Sequence, residues 1–168
     1  VEVADPYRWL EDDVRKSEEV AAWVAAENEI TVAYLQNIPE HDAIEKRLTE
    51  VWNYAKHGLP IHYGNRWFQS RNRGLQNHRV IYTGDSPTTI DTVLLDPNNW
   101  SEDGTVALSM WSPSKSGSLL AWGTSEAGSD WSTWKLKNIA TGEAFPEELT
   151  HIKNSSPSWL PDETGFFY

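Results

Sequence analysis

The sequence predicts a mostly β protein in which an N-terminal α-helical segment is followed by blades of a β-propeller. The first observation is a change of period: apolar residues recur at helical spacing over residues 5–53 and alternate from about residue 54 onward. The second is an echo, because Trp111-Ser112-Pro113 and Gly117 recur 48 residues later as Trp159-Leu160-Pro161 and Gly165. A period of about 40 to 50 residues that carries short β-runs and turn residues is typical of propeller blades.

Two start signals define the helical segment. Asp5-Pro6 offers a capping side chain and a proline whose missing N–H costs nothing at the first position, so a helix is expected to begin there. Ser17 begins a stronger helix, with Glu18 and Glu19 favourably placed against the helix dipole, and Asn37-Ile38-Pro39 ends it and opens the next. The apolar stripes of these helices consist of Val20, Trp23, Val24, Ile30, Tyr34, Ile44, Leu48, Val51 and Trp52. Two such helices bury too little surface to stand alone, so we expect them to pack on something else.

From residue 54 onward, short apolar runs separated by turn-rich segments are predicted as strands. These runs are residues 67–70, 79–82, 92–95, 106–110, 119–122, 134–137 and 166–168. The 115 residues of 54–168, divided by the repeat of 48, give about 2.4 blades, whereas closed propellers have about four to eight. Since the second copy of the echo stops inside its own strand, we expect the sequence to be a piece of a larger protein whose propeller does not close with this chain alone.

The composition narrows the classes of function. A formal net charge of −11 repels phosphate backbones and anionic membranes, so neither nucleic acid nor a membrane is expected as a partner. The absence of cysteine excludes disulfides, thiolate metal sites and a cysteine nucleophile. No apolar run approaches the ~18 residues that cross a bilayer, and no signal-peptide pattern is visible, so both the cytoplasm and the periplasm remain open. The ten tryptophans fit stacked sheets, but such rings also line peptide and sugar grooves.

Three motifs that could carry chemistry do not satisfy its requirements. Gly123-Thr124-Ser125-Glu126-Ala127 nearly matches the G-x-S-x-G nucleophile elbow, but it lacks the last glycine and is followed by turn and strand patterns, so Ser125 is predicted to lie in a blade hairpin. Asp96, Asn98 and Asp103-Gly104 superficially match a calcium loop, but Ala107 stands where a bidentate glutamate is required. The five histidines form no metal-binding pair and no tight cluster with carboxylates, so no metal and no cofactor are expected.

Gly128-Ser129-Asp130-Trp131 is open to two interpretations. Glycine, serine and aspartate at a strand junction are ordinary turn chemistry. An Asp–Trp pair at the inner end of a blade can equally face a central channel and meet a peptide there. Both interpretations stand at this point.

The order and spacing of several segments resemble the prolyl oligopeptidase family over essentially the whole chain. Asp5-Pro6-Tyr7-Arg8-Trp9-Leu10-Glu11-Asp12 resembles the N-terminal signature of that family, and the segment 23–35 is similar to its next helix. Asn72-Arg73-Gly74-Leu75-Gln76-Asn77 resembles the first propeller blade of true prolyl oligopeptidases more than that of oligopeptidase B. The further matching segments, in order, are 95–98, 101–105 and 125–131.

This resemblance implies a fold and an activity. The family joins an α/β-hydrolase domain to a seven-bladed β-propeller, so residues 1–53 are expected to belong to the hydrolase domain and residues 54–168 to form the first two blades and the start of the third. The implied parent protein is a serine peptidase that cleaves short peptides on the carboxyl side of proline, with the propeller covering the active site. Its Ser, Asp and His are expected in the C-terminal hydrolase part, so no catalytic residue is assigned to this chain. The implied partners are short proline-containing peptides, the hydrolase segment and the remaining blades.

The chain also departs from the family pattern. His78 stands where the family often has Gln, and Asn154 lies where some members place an aromatic residue that lines the substrate cavity. Asp130, Trp131 and Asn154 are therefore the candidates for the wall of that cavity. Two other functions are considered: a non-enzymatic propeller that binds peptides or glycans through its tryptophans, and a peptidase similar to oligopeptidase B, which prefers basic residues.

Overall fold

The computed structural model describes residues 3–168, which form two compact units, Val1–Val51 and Trp52–Tyr168. The first unit is helical and the second consists of antiparallel sheets. Along the part of the chain that the structure describes, no helix has the length and apolar character that a membrane span requires.

The helical unit contains α1 (Glu18–Gln36) and most of α2 (His41–Trp52). The Ser17 side chain accepts a hydrogen bond from the amide of Val20 at 3.4 Å, which confirms the predicted cap of α1. The helix predicted at Asp5-Pro6 is wrong, because only a 3₁₀ turn at Arg8–Glu11 forms and Asp5 caps nothing. Its carboxylate pairs with the Arg8 guanidinium at 3.0 Å instead.

The first sheet is built around β3 (Arg66–Asn72), followed by β4 (Val80–Gly84) and β5 (Thr92–Leu95) in an antiparallel meander. Two short strands, β1 (Lys56–His57) and β2 (Ile61–Tyr63), pair with the same side of β3 one after the other. They act as a single edge strand interrupted at residues 58–60, where Pro60 has no N–H to donate to a ladder.

The second sheet is a four-stranded antiparallel meander, and a third sheet begins after it. Its strands are β6 (Val106–Pro113), β7 (Leu119–Glu126), β8 (Ser132–Asn138) and β9 (Leu149–Ile152). The chain then forms a hairpin of β10 (Ser158–Trp159) and β11 (Phe166–Phe167). Two meanders and a hairpin are the repeat that the echo predicted, because Trp111 lies in β6 and Trp159 in β10.

The core fills the spaces between consecutive sheets. Phe68, Ile81 and Leu95 of the first sheet pack against Leu120 and Trp122 of the second. The opposite face of the second sheet carries Ala121, Trp134 and Ile152, against which Trp159 and Phe166 of the hairpin pack. Alternating residues of β7 therefore face different neighbours, which explains why its first four residues are apolar without a break. We refer to the three sheets as blades 1, 2 and 3.

The hairpin turns of the three blades touch one another along one side, which we call the turn edge (residues 64–65, 114–118 and 160–165). The Glu163 carboxylate accepts hydrogen bonds from both the amide and the hydroxyl of Ser116, each at 2.6 Å. Gly64 lies directly against the Ser116 carbonyl, and Gly117 against that of Tyr63. At the turn edge, hydrogen bonds thus join blade 2 to blade 3, and close backbone contacts join blade 1 to blade 2, outside the apolar core.

Candidate functional site

The side opposite the turn edge carries four longer connections, which we call the loop edge (residues 73–79, 96–105, 127–131 and 153–157). Hydrogen bonds join these connections to one another. The His78 ring nitrogen Nε2 lies 2.8 Å from the Gly104 carbonyl, and the Ala127 amide donates to the Thr105 carbonyl at 3.1 Å. The Lys153 ammonium pairs with the Asp130 carboxylate at 3.0 Å. The loop edge is therefore one continuous surface across blades 1 and 2.

Three cavities lie in a row along the loop edge. Cavity A, of about 190 Å³, lies on blade 2 and is lined by Ser109, Met110, Ser129, Asp130, Ser132, Trp134, Ile152, Asn154 and Ser155. Cavity B, of about 360 Å³, lies between blades 1 and 2 and is lined by Ser70, Asn77, His78, Arg79, Ile81, Leu108, Ser109, Met110 and Trp111. Cavity C, of about 430 Å³, is lined by Trp52, Lys56, Asn72, Gly74, Leu75, Gln76, Asn77 and Arg79. Ser109 and Met110 join A to B, and Asn77 and Arg79 join B to C.

Two of the three residues predicted for a cavity wall come together in cavity A. Asp130, from the β7–β8 loop, and Asn154, from the β9–β10 loop, both line it. Trp131 lies beside the cavity, and its side chain is 54% exposed. The Lys153 ammonium lies 5.6 Å from the centre of the Trp131 ring, and the His151 ring meets the same indole edge-to-face at 6.3 Å. A cation–π contact and an ion pair thus hold an exposed indole at the rim of a polar cavity.

Small residues on the three neighbouring strands β6, β7 and β8 shape the wall of cavity A. Gly123 of β7 leaves space between β6 and β8, so that the Ser109 hydroxyl reaches the Ser132 hydroxyl at 2.9 Å across it. A Cβ atom at position 123 would lie 2.5 Å from the Ser109 hydroxyl and 3.2 Å from the Trp134 ring. The β6–β7 pairing shifts register between Leu108 and Met110, which turns Ser109 toward the cavity. Sequence reasoning missed Ser109, because a bulge leaves no signal in the alternation of β6.

Backbone strain also concentrates around cavity A. Four residues other than glycine within the described chain have a positive φ, and three of them, Ala127 (48°), His151 (60°) and Asn154 (53°), lie in or beside the two loops that flank this cavity. The pairing of β8 with β9 shifts register between Ser132 and Trp134, opposite His151. Each left-handed residue costs about 1–2 kcal/mol relative to an ordinary conformation. Strained backbone of this kind is found at binding and active sites as well as in turns.

The other candidate residues have structural roles. Ser125 lies within β7, paired with Ala107, and not on the sharp strand-to-helix turn that a nucleophile elbow requires. The Asp96 carboxylate caps the 3₁₀ turn Pro97–Asn99 by accepting from the Asn98 amide at 3.1 Å. The Asp103 carboxylate accepts from the Thr105 amide and hydroxyl, and these hydrogen bonds lower the pKa of Asp103.

The expectation that no histidine clusters with carboxylates is wrong for His41. On the first turn of α2, possible ligand atoms of His41, Asp42 and Glu45 lie within 4.8 Å of one another. Glu45 lies four positions after His41 and three after Asp42, the spacings at which helix side chains meet, and the sequence pattern does contain them. Asp42 and Glu45 are exposed, and the His41 ring nitrogen Nδ1 already lies 3.1 Å from Asp42.

Two stacked four-stranded meanders, with cavities along one edge, define this chain as blades of a β-propeller. All of residues 1–168 match the family described as "Prolyl oligopeptidase, N-terminal beta-propeller domain". The chain belongs to that family.

Known proteins agree with this assignment. The chain is 43% identical over 167 residues to the prolyl endopeptidase of Elizabethkingia meningoseptica, covering 99% of this chain and 23% of that protein. It is 34% identical over 189 residues to prolyl oligopeptidase A of Amanita bisporigera, covering all of this chain and 24% of that protein. Among solved structures, a prolyl oligopeptidase B from Galerina marginata bound to a 35mer hydrolysis and macrocyclization substrate superposes with a TM-score of 0.83 at 27% identity, over 99% of this chain and 26% of that one. The chain thus spans about a quarter of the length of these relatives.

Proposed function

We propose that this chain is the N-terminal part of a serine-type prolyl oligopeptidase that hydrolyses short peptides on the carboxyl side of proline. Residues 1–53 would belong to its α/β-hydrolase domain, and residues 54–168 would form the first two blades and the start of the third in a seven-bladed propeller. The observation that carries the proposal is the family match over the whole chain, together with relatives named prolyl endopeptidase. The catalytic Ser, Asp and His would lie in the hydrolase segment and not in this chain.

The exposed apolar faces of the helices support the assignment to a hydrolase domain. In the first unit, Ile30 is 68% exposed and Tyr34 72%, and α2 exposes Ile44 and Leu48 by about half. An apolar cavity of about 310 Å³ lies on this face of α2, between Ile38 and Leu48. Exposed apolar stripes of this kind require a covering surface. In the proposal, the hydrolase segment supplies that surface.

The proposed role of the propeller part is selection of the substrate. Cavity A would contact residues upstream of the proline, with Asp130 and Asn154 in its wall and Trp131 beside it. The amide of Asn154 packs less well against an apolar side chain than the aromatic residue that some family members place there. We therefore expect this peptidase to discriminate little among apolar residues upstream of the proline. The propeller would limit access to short peptides, and opening of the two domains would admit them.

The first test measures cleavage by the full-length protein. We expect it to hydrolyse a chromogenic Gly-Pro substrate and to leave an Arg-Arg substrate intact. If the protein cleaves only after arginine, it is instead a peptidase similar to oligopeptidase B. Absence of both activities, with peptide binding retained, would favour the non-enzymatic binding module.

The second test concerns cavity A. Asn154→Phe would restore an aromatic wall and is expected to lower KM about three- to tenfold for peptides with a large apolar residue upstream of the Gly-Pro pair, because part of an aromatic side chain becomes buried against the substrate. Asn65→Phe, on the turn edge, controls for the added aromatic side chain, though not for the positive φ of Asn154, and should leave KM unchanged. An equal effect of both variants would remove Asn154 from the cavity wall.

A further inference from the structure

We infer that Arg79 binds the C-terminal carboxylate of the peptide substrate, at the junction of cavities B and C. This inference rests on the proposed peptidase function and adds an anchoring group for one end of the substrate.

Blade 1 is basic in an acidic chain. Residues 54–100 contain five basic residues (Lys56, Arg66, Arg71, Arg73 and Arg79) and three acidic ones (Asp85, Asp91 and Asp96), for a net charge of +2, whereas the whole chain carries −11. In an acidic protein, a region that is locally basic is where an anion is repelled least.

Two of the basic side chains of blade 1 are already occupied. The Arg71 guanidinium donates to Asp91 at 3.3 Å and lies 4.9 Å from the centre of the Tyr82 ring. The Lys56 ammonium donates to the carbonyls of Trp52 at 2.6 Å and Gly74 at 2.8 Å. Both residues hold the first blade together and have little capacity left for a ligand.

The guanidinium groups of Arg66, Arg73 and Arg79 make no hydrogen bond, ion pair or ring contact with any of residues 3–168, and of these three arginines Arg79 is the one that lines cavities B and C. It is exposed and lines cavities B and C. Neither cavity contains an aspartate or glutamate among its lining residues. Asn77, which lines both cavities beside Arg79, adds an amide donor. A planar guanidinium with free donors and no acid nearby suits a carboxylate, which it can bind through two parallel hydrogen bonds.

The rest of cavity B points to the carboxylate of a terminal residue. Leu108, Met110 and Trp111 form an apolar wall on blade 2 that faces the polar groups of blade 1. A C-terminal residue with an apolar side chain would place that side chain on this wall and its carboxylate on Arg79. A phosphate group would leave the apolar wall unused, and the acidic chain repels longer polyanions.

Cavity B adjoins the proposed substrate cavity, because Ser109 and Met110 of the edge strand β6 line both A and B. A peptide whose upstream residues occupy A would cross β6 to reach B, where Arg79 lies. Such an anchor would favour peptides of a particular length after the proline.

The test compares paired peptides on the full-length peptidase. Each pair has one internal proline and an apolar last residue, and ends either in a free carboxylate or in a carboxamide; a series varies the number of residues after the proline. For the length that reaches Arg79, we expect kcat/KM to be about five- to tenfold higher for the free acid. Arg79→Gln should remove this preference through a higher KM and leave cleavage of the amide unchanged.

Arg73→Gln is the matched control, because Arg73 lies on the same loop, carries the same charge and lines neither cavity. It should retain the preference for the acid. An acid preference that survives in Arg79→Gln, or that is absent at every length, overturns the inference. Equal losses for acid and amide in Arg79→Gln also overturn it and would assign the arginine to a contact with an acidic group of the hydrolase domain. Absence of all cleavage after proline would instead reject the proposed function, and acid and amide product peptides would then be compared by calorimetric binding.

Discussion

Gly64→Ala tests whether the blades are tied together at the turn edge. Gly64 has a φ of 56°, which an alanine adopts only at a cost of about 1 kcal/mol. A Cβ atom at this position would also overlap the carbonyl group of Ser116 in blade 2, which is backbone and cannot rotate away. The substitution must therefore separate the two turns or distort one of them.

Gly142→Ala separates the cost of a positive φ from the cost of steric overlap with Ser116. Gly142 has a φ of 72°, so it shares the conformational cost, but a Cβ atom there would meet nothing within 4 Å. We expect Gly142→Ala to destabilise by about 1 kcal/mol and Gly64→Ala by a further 1–3 kcal/mol, which is the usual cost of overpacking. For a unit of this size that difference corresponds to about 2–12 °C in Tm.

The measurement is thermal and urea unfolding of both variants in the full-length protein, followed by tryptophan fluorescence. Trp111 and Trp122 pack in the core between blades 1 and 2, so their emission reports separation of these blades. Equal losses of stability in the two variants would refute the reasoning, because the contact between Gly64 and Ser116 would then contribute nothing.

Two further predictions concern blades 2 and 3. Hydrogen bonds from Ser116 hold the pKa of Glu163 below its usual 4.5, so the ionised carboxylate stabilises the folded protein fully above pH 4.5, and this stabilisation is lost as the pH falls through the lower folded pKa. The Tm difference between wild type and Glu163→Gln should therefore be constant above about pH 6 and shrink below 4.5. A Tm difference that does not depend on pH would contradict this. Trp134 is 2% exposed, so Trp134→Ala is expected to lower the free energy of unfolding in urea by about 3–5 kcal/mol. Trp131 is 54% exposed, so Trp131→Ala should lower it by less than about 1 kcal/mol. Similar losses in both variants would place Trp134 outside the core.

The sequence predicted those elements whose signals are local. The cap of α1 at Ser17 and the strands at 92–95 and 119–122 follow from a capping side chain, from β-branched or apolar runs and from bounding turns. The echo placed Trp111 and Trp159 in corresponding strands. Its glycines are less alike: Gly117 has a φ of 73°, but in the later hairpin the left-handed residue is Glu163 and not Gly165.

The missed elements depend on partners that are distant in the sequence. Strands β2, β9 and β10 are two to four residues long and partly polar, and they form because β3, β8 and β11 offer them hydrogen bonds. The helix expected at Asp5-Pro6 fails for the opposite reason. Its capping side chain has a stronger local partner in the Arg8 guanidinium, and a cap alone does not offset the cost of starting a helix.

The residue types at cavity A could be picked out from the sequence, but the shape of the cavity could not. Asp130 and Asn154 were chosen from a turn and from a departure from a family pattern, and both line cavity A. What joins them is the bulge at Ser109, the open space above Gly123 and the left-handed backbone of His151, none of which composition or periodicity records.

Within blade 2, different residue types carry the left-handed backbone at the two edges. At its turn edge, Gly117 supplies this conformation without steric cost, whereas in the corresponding turn of blade 3 it is Glu163, with a side chain, that adopts it. On the loop edge of blade 2, Ala127, His151 and Asn154 adopt the same region with side chains attached. Glycine at these three positions would relieve the steric cost but would loosen the unfolded chain, so the two effects partly cancel. For Asn154, whose side chain lines cavity A, contact with a ligand is the role that the geometry supports.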